Sequence, residues 1–266
     1  MILTLLMYLV LGAVAGVVAG LFGIGGGLLI VPVLIFSFSA QGMSPDVLTH
    51  AAVATSLATI VVTSISSVRA HHKRGAVRWD LFKPISLGIL LGAFLGVKIA
   101  GMMPGSILQM VFGVFALCVA AQMAFGLKPS AGDEPPAATM LGIGGTFIGS
   151  LSAVFGIGGG TLTVPFLTWK QVQMQQAVAT SAACGLPIAL MGAMTNVWEG
   201  WGNAQTDEWS LGYVYLPAFA GIVITSSLFA KFGARLAHSL PAPTLKRFFA
   251  VFLLCVGTYL IGKNLF

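Results

Sequence analysis

The chain has 266 residues, of which 57% are hydrophobic and only 8% are charged. A soluble domain carries about 25% charged residues, and a soluble core of this length cannot hide so much apolar side chain. A soluble globular protein is therefore excluded and a polytopic membrane protein expected, with the lipid bilayer as its first partner. The net charge of +6 points to basic cytoplasmic loops rather than to nucleic acid.

The first 36 residues carry no charge. They lack the basic start and small-residue cleavage site of a signal peptide, so they belong to the membrane domain. Phe22-Gly23-Ile24-Gly25-Gly26-Gly27 and then Pro32 interrupt them. Glycine weakens a helix by about 1 kcal/mol relative to alanine, so such a cluster reads as a break. A polar stretch, Ser39 to Thr49, precedes an apolar span at about 51–69 that contains Ala54-Thr55-Ser56. The basic loop Arg69, His71, His72, Lys73, Arg74, Arg78 follows, then spans at about 83–102 and 106–126. Lys128 to Pro136, with Asp133, Glu134 and a Pro-Pro pair, reads as a linker.

The order then repeats. An apolar run from about 138 carries Phe155-Gly156-Ile157-Gly158-Gly159-Gly160 and Pro165. Polar residues from Trp169 to Gln176 precede Ala179-Thr180-Ser181 and a span ending near Trp198. The next loop holds Glu199, Asp207 and Glu208 and no base. Spans at about 211–232 and up to about 263 flank Lys231, Arg235, His238, Lys246 and Arg247. Gly23/Gly156, Pro32/Pro165, Pro84/Pro217, Gly88/Gly221 and Lys98/Lys231 all stand 133 residues apart. Thr55/Thr180 and Ser56/Ser181 stand 125 apart. This is internal duplication: a first repeat over 1–126, a linker over 127–137 and a second repeat over 138–266.

Loop charge sets the topology. The loops at 69–78 and 231–247 are basic and expected inside; the loop at 199–210 is acidic and expected outside. Because 69–78 and 199–210 are corresponding loops, each half must cross the membrane an odd number of times. Three spans per half are clear, so the glycine run adds an even number, as a re-entrant hairpin or as two short spans. The expected fold is all-α, with two inverted repeats, each a broken glycine-rich hairpin plus three transmembrane helices. The linker then lies in the cytoplasm and both termini outside.

Irregular backbone at membrane depth is tolerated only where protein buries it or it lines a wet cavity. Gly25, Gly26 and Gly27, with Gly158, Gly159 and Gly160, leave N–H groups free where a short helix begins, which is an anion-binding arrangement. Gly23, Pro32, Gly156 and Pro165 make the breaks; close helix packing is the competing explanation for the glycines. Thr55, Ser56, Thr180 and Ser181 offer hydroxyls to an oxyanion or bond to their own helices. Asn196 is a further candidate contact. Lys98 and Lys231 stand near span ends, where they attract anions or snorkel to the interface. All seven acids fall in predicted loops or edges. A site without intramembrane carboxylates selects anions over cations. Cys118, Cys184 and Cys255 lie in apolar segments, without disulfide or metal-ligand spacing. No metal, cofactor or nucleophile–base constellation is indicated, so the chain is not read as an enzyme. Oligomeric state has no signal in the sequence.

The doubled motif Phe22-Gly-Ile-Gly-Gly-Gly-Leu-Leu-Ile-Val-Pro32, its copy through Pro165 and the paired Ala-Thr-Ser segments resemble the TauE/SafE sulfite exporter family, the TSUP permeases. The resemblance covers nearly the whole chain. It implies an inner-membrane permease for a small sulfur-containing anion such as sulfite, sulfoacetate or thiosulfate. The expected mechanism is outward alternating access at a midplane site; an anion channel is the alternative. The resemblance also carries the motif glycines and Thr55, Ser56, Thr180 and Ser181 over as site residues.

Overall fold

The computed structural model describes residues 2–22, 26–125, 137–236 and 242–265, and side chains over 4–17, 26–125, 137–229, 232 and 247–265. Gly23, Gly25, the linker and the side chain of Lys231 lie outside these ranges. The described residues form helices α1 (Ile2–Phe22), α2 (Gly27–Ala40), α3 (Pro45–Lys73), α4 (Trp79–Gly101) and α5 (Gly105–Phe125) in the first half. The second half holds α6 (Ala138–Val154), α7 (Gly160–Trp169), α8 (Met174–Glu199), α9 (Leu216–Leu236) and α10 (Ala242–Leu265). A two-residue-per-strand ribbon, β1 (Ser210–Leu211) and β2 (Val214–Tyr215), precedes α9. Among the described residues, five helices are long and apolar enough to cross a membrane by length and composition: α3, α4, α5, α8 and the 247–265 part of α10.

Each glycine run forms two helices that fold back on each other. Gln41, just past α2, donates to the Tyr8 hydroxyl near the start of α1 at 2.7 Å. In the second half, Phe166 of α7 packs on Gly144 of α6. The returning arms are short, 14 residues in α2 and 10 in α7. At 1.5 Å per residue they reach about 21 and 15 Å, too little to cross a hydrocarbon core of about 30 Å.

Close approach through small residues fixes the helix pairs. Gly88, Gly92 and Gly96 of α4 face Gly142, Thr146 and Ser150 of α6 in turn, so these helices run parallel. Gly12 and Gly16 of α1 face Ile222 and Ser226 of α9, also parallel. At the centre α3 and α8 run antiparallel: Leu57 meets Gly192, and Ser64 meets Gly185. α5 and α10 are antiparallel too, with Gln109 bonded to Asn264 and Gly113 against Gly257 and Ile261.

The span expected at about 51–69 begins earlier, at Pro45, a residue suited to the first helical turn. The polar residues that suggested a loop are satisfied inside the helix bundle. Thr49 donates to the Gly105 carbonyl and accepts from Gln109, while the two ring nitrogens of His50 lie 3.1 Å from the Asp46 and Ala100 carbonyl oxygens. Thr55 and Ser56 therefore sit well inside α3, not at its start.

The two ends of the bundle differ in charge. Arg69, Lys73, Arg74, Arg78, Lys83 and Lys170 gather at one end, with Asp80 bonded to Arg78. Asp46, Glu199, Asp207 and Glu208 gather at the other, with Lys98 and Lys263. Trp79 and Trp169 are exposed near the basic end, and Trp198, Trp201 and Trp209 near the acidic end. Between these levels Leu87, Phe147, Leu228 and Phe248 point outward, as lipid-facing side chains do.

Candidate functional site

The two glycine tips meet. A Cβ on Gly27 would lie 2.5 Å from the Gly156 carbonyl oxygen and 2.8 Å from Ile157 Cα. Only glycine permits that approach. The breaks are built differently. Gly26 caps α2 in the left-handed region, with φ +74°, and its carbonyl accepts from Leu29 and Ile30. In the second half Gly156 takes φ +63° and ends α6: Ile157 N–H bonds to Ser152 O and Gly156 N–H to Ala153 O, a Schellman termination. Gly158, Gly159 and Gly160 are buried behind it. Pro32 and Pro165 lie inside α2 and α7 and deprive the Leu28 and Thr161 carbonyls of their usual N–H partner. Both short helices thus start where the hairpins touch, with first-turn N–H groups lacking helical acceptors.

Seven threonines in the bundle bond back to their own helix: Thr59, Thr63, Thr146, Thr168, Thr195, Thr225 and Thr258 all donate to a carbonyl three or four residues earlier. Five buried hydroxyls have no partner among the described residues: Ser152, Thr161, Thr163, Ser181 and Ser226. Four of them belong to the second hairpin or to the Ala-Thr-Ser segment beside it. An unsatisfied buried hydroxyl costs about 1–3 kcal/mol, so such a concentration calls for a ligand or water.

The expected site residues divide. Ser56 donates to the Gly156 carbonyl at 2.7 Å and so ties α3 to the second tip. Thr55 accepts the Tyr215 N–H at 3.0 Å, and Thr180 accepts the Arg78 N–H at 3.0 Å. Each threonine therefore holds a backbone segment of the other half, one towards each end of the bundle. Ser181 stays unpartnered beside Gly159. Asn196 donates to the Gly192 carbonyl one turn back. It stands 11 residues from Gly185, about 16 Å along α8, and is not brought to the tips. Lys98 is ion-paired with Glu199 at the acidic end, which offsets its charge. An open hollow of about 450 Å³ between α3, α8, α9 and the ribbon, lined by Ala58, Met194, Val214 and Phe219, is apolar and lies apart from the tips.

Thr163, Gly185 and Ser64 escaped the sequence reading. A usable signal was present, since Gly185-Leu186-Pro187 interrupts an apolar span as the hairpin motifs do.

The model of the family described as "Sulfite exporter TauE/SafE" matches residues 8–260. A probable membrane transporter protein of Haemophilus influenzae is 38% identical over 97% of this chain and 98% of its own length. One from Methanocaldococcus jannaschii is 28% identical over 98% and 96%. The probable membrane transporter protein YunE of Bacillus subtilis is 26% identical over 99% and 100%. No solved structure matches the chain. With a family match across nearly its whole length, an apolar multi-pass helical bundle and transporter relatives that align from end to end, this chain is a membrane permease of the sulfite exporter TauE/SafE family.

Proposed function

We propose that the permease moves a small sulfur-containing anion, such as sulfite, an organosulfonate like sulfoacetate, or thiosulfate, outward across the inner membrane by alternating access. The contact of Gly27 with Gly156 carries this reading, because it sets the start of α2 against the tip of the second hairpin, which leads into α7, in the interior of the bundle. Each helix start presents roughly half a positive charge and free N–H donors. The acids among the described residues sit at helix ends and loops, so none of them opposes an anion there. Outward flux of an anion from a negative-inside cell is favoured by about 2.3 kcal/mol per charge per 100 mV, so no coupling ion is required.

The halves, 1–126 and 138–266, act as inverted repeats in this reading. The antiparallel pairs α3/α8 and α5/α10, which join corresponding helices, support it. The basic end faces the cytoplasm and both termini face outside. Thr55 with Tyr215 and Thr180 with Arg78 form two latches, one towards each face, that open in turn. Flux in proteoliposomes loaded with sulfite, thiosulfate or sulfoacetate tests the proposal. Saturable, trans-stimulated flux of at least one anion is expected; no flux of any of them refutes it. Reporter fusions at residues 74 and 204 test the inversion and should report opposite sides of the membrane.

A further inference from the structure

Gly185 lies where α8 passes closest to Ser64 of α3 and to the second hairpin tip. The point that a Cβ on Gly185 would occupy is 3.2 Å from Ser64 Oγ and 3.6 Å from the Gly159 nitrogen. Across this glycine of α8, a hydroxyl from one half therefore stands close to a backbone nitrogen at the α7 start of the other. The corresponding point on Gly159 is 3.2 Å from Thr163 Oγ and 3.0 Å from the Ser181 carbonyl. Thr163 and Ser181 are 0% and 1% exposed, and neither hydroxyl has a partner among the described residues. Ser64, Thr163 and the Gly159 nitrogen thus lie around Gly159 and Gly185, with Ser181, whose own carbonyl touches Gly159, contributing a further unpartnered hydroxyl from α8.

Among the described residues the first half has no equivalent. At the repeat offsets, Gly185 corresponds to Ile60, Thr163 to Ile30 and Thr161 to Leu28, and Ile60 packs on Gly27 in the place of an open cradle. Ser56, the counterpart of Ser181, is committed to the Gly156 carbonyl.

We propose that the permease has one anion-binding site, built on the second hairpin, in which Ser64, Thr163, Ser181 and the Gly159 N–H grip the –SO3 group shared by sulfite, thiosulfate and sulfonates. This rests on the transport reading above and sharpens it. Three hydroxyls and an N–H match three acceptor oxygens. The remaining substituent, a lone pair, a sulfur or a carbon, turns towards Ile30, Ile60 and Leu28, which ask nothing of it. The three anions therefore compete for a single site.

The test is calorimetric titration of the purified full-length protein with sulfite, thiosulfate and methanesulfonate, with flux measured in parallel. Thr163→Val and Ser181→Ala should each weaken binding by about tenfold or more, the loss of one hydrogen bond to a charged group. Thr163→Ser, which keeps the hydroxyl, should bind within about threefold of the parent. Ser226→Ala, at the unpartnered hydroxyl in the α1–α9 interface, should change nothing and controls for folding. If Thr163→Val and Ser181→Ala bind as the parent does while the parent transports, the site lies elsewhere and only this proposal falls. If the three anions bind without competing, the shared –SO3 site is refuted. If the parent neither binds nor moves any of them, the transport reading falls as well.

Discussion

Around the first hairpin tip stand Leu28, Ile30 and Ile60, all buried; around the second, the same repeat positions hold Thr161, Thr163 and Gly185. Both copies keep the glycine cluster and the proline that break the helix. The backbone device is shared, and the side chains beside it have diverged into an apolar wall and a polar cradle. Each half thus begins a short helix at its glycine tip, and the side chains beside the two tips differ in polarity. The arms diverge as well: α1 and α2 have 21 and 14 residues, α6 and α7 only 17 and 10.

The largest effects are expected where both copies are needed. Gly156→Val forces a branched side chain into φ +63°, with the Val31 side chain 2.8 Å and Val53 Cα 3.0 Å from its Cβ. Gly27→Val meets the Gly156 carbonyl from the other side. Both should abolish flux and lower the yield of monodisperse protein; normal flux from either would return the glycines to a minor packing role. Next comes an exchange of identities. Gly185→Ile copies the first-half residue into the cradle and should eliminate flux. Ile60→Ala should lower stability by about 2–5 kcal/mol, read as a fall in melting temperature, with flux retained. The reverse result would assign the cradle to the first half.

The latches offer a smaller contrast. Thr55→Val and Thr180→Val each remove one hydrogen bond, worth about 1 kcal/mol, and should bias the resting protein towards opposite faces. Thiol labelling of single cysteines above and below the tips should then change in opposite senses; parallel changes would break the pairing of the two threonines. Smallest of all is Lys98→Gln, which frees Glu199 at a half-exposed site. It should cost about 1 kcal/mol or less in stability and leave flux within about twofold.

The membrane class and the helix breaks at the glycine clusters were legible because they rest on composition and glycine chemistry, which are local. The cradle was not. Searching the repeats for sameness highlights Gly26/Gly159 and Thr55/Thr180, whereas Thr163 and Gly185 matter because their counterparts, Ile30 and Ile60, differ. Thr55 and Thr180 show the other difficulty. Their hydroxyls look free in the chain, and only tertiary contact with Tyr215 and Arg78 shows them engaged. Likewise Asp46, Thr49 and His50 look like loop residues until the carbonyls of Ala100 and Gly105 are beside them.

The parallel pairing of α1 with α9 has a consequence for biogenesis. Tyr8 packs against Gly221, so during synthesis α1 waits about two hundred residues for its partner. Until α9 is made, the glycine-lined face of α1 has only lipid or an insertion factor to lie against. Each half also lends its opening helix to the other half's fourth, as exchanged limbs do in a swapped dimer. Cutting the gene at the linker should therefore yield two fragments that are short-lived apart and durable when synthesised together.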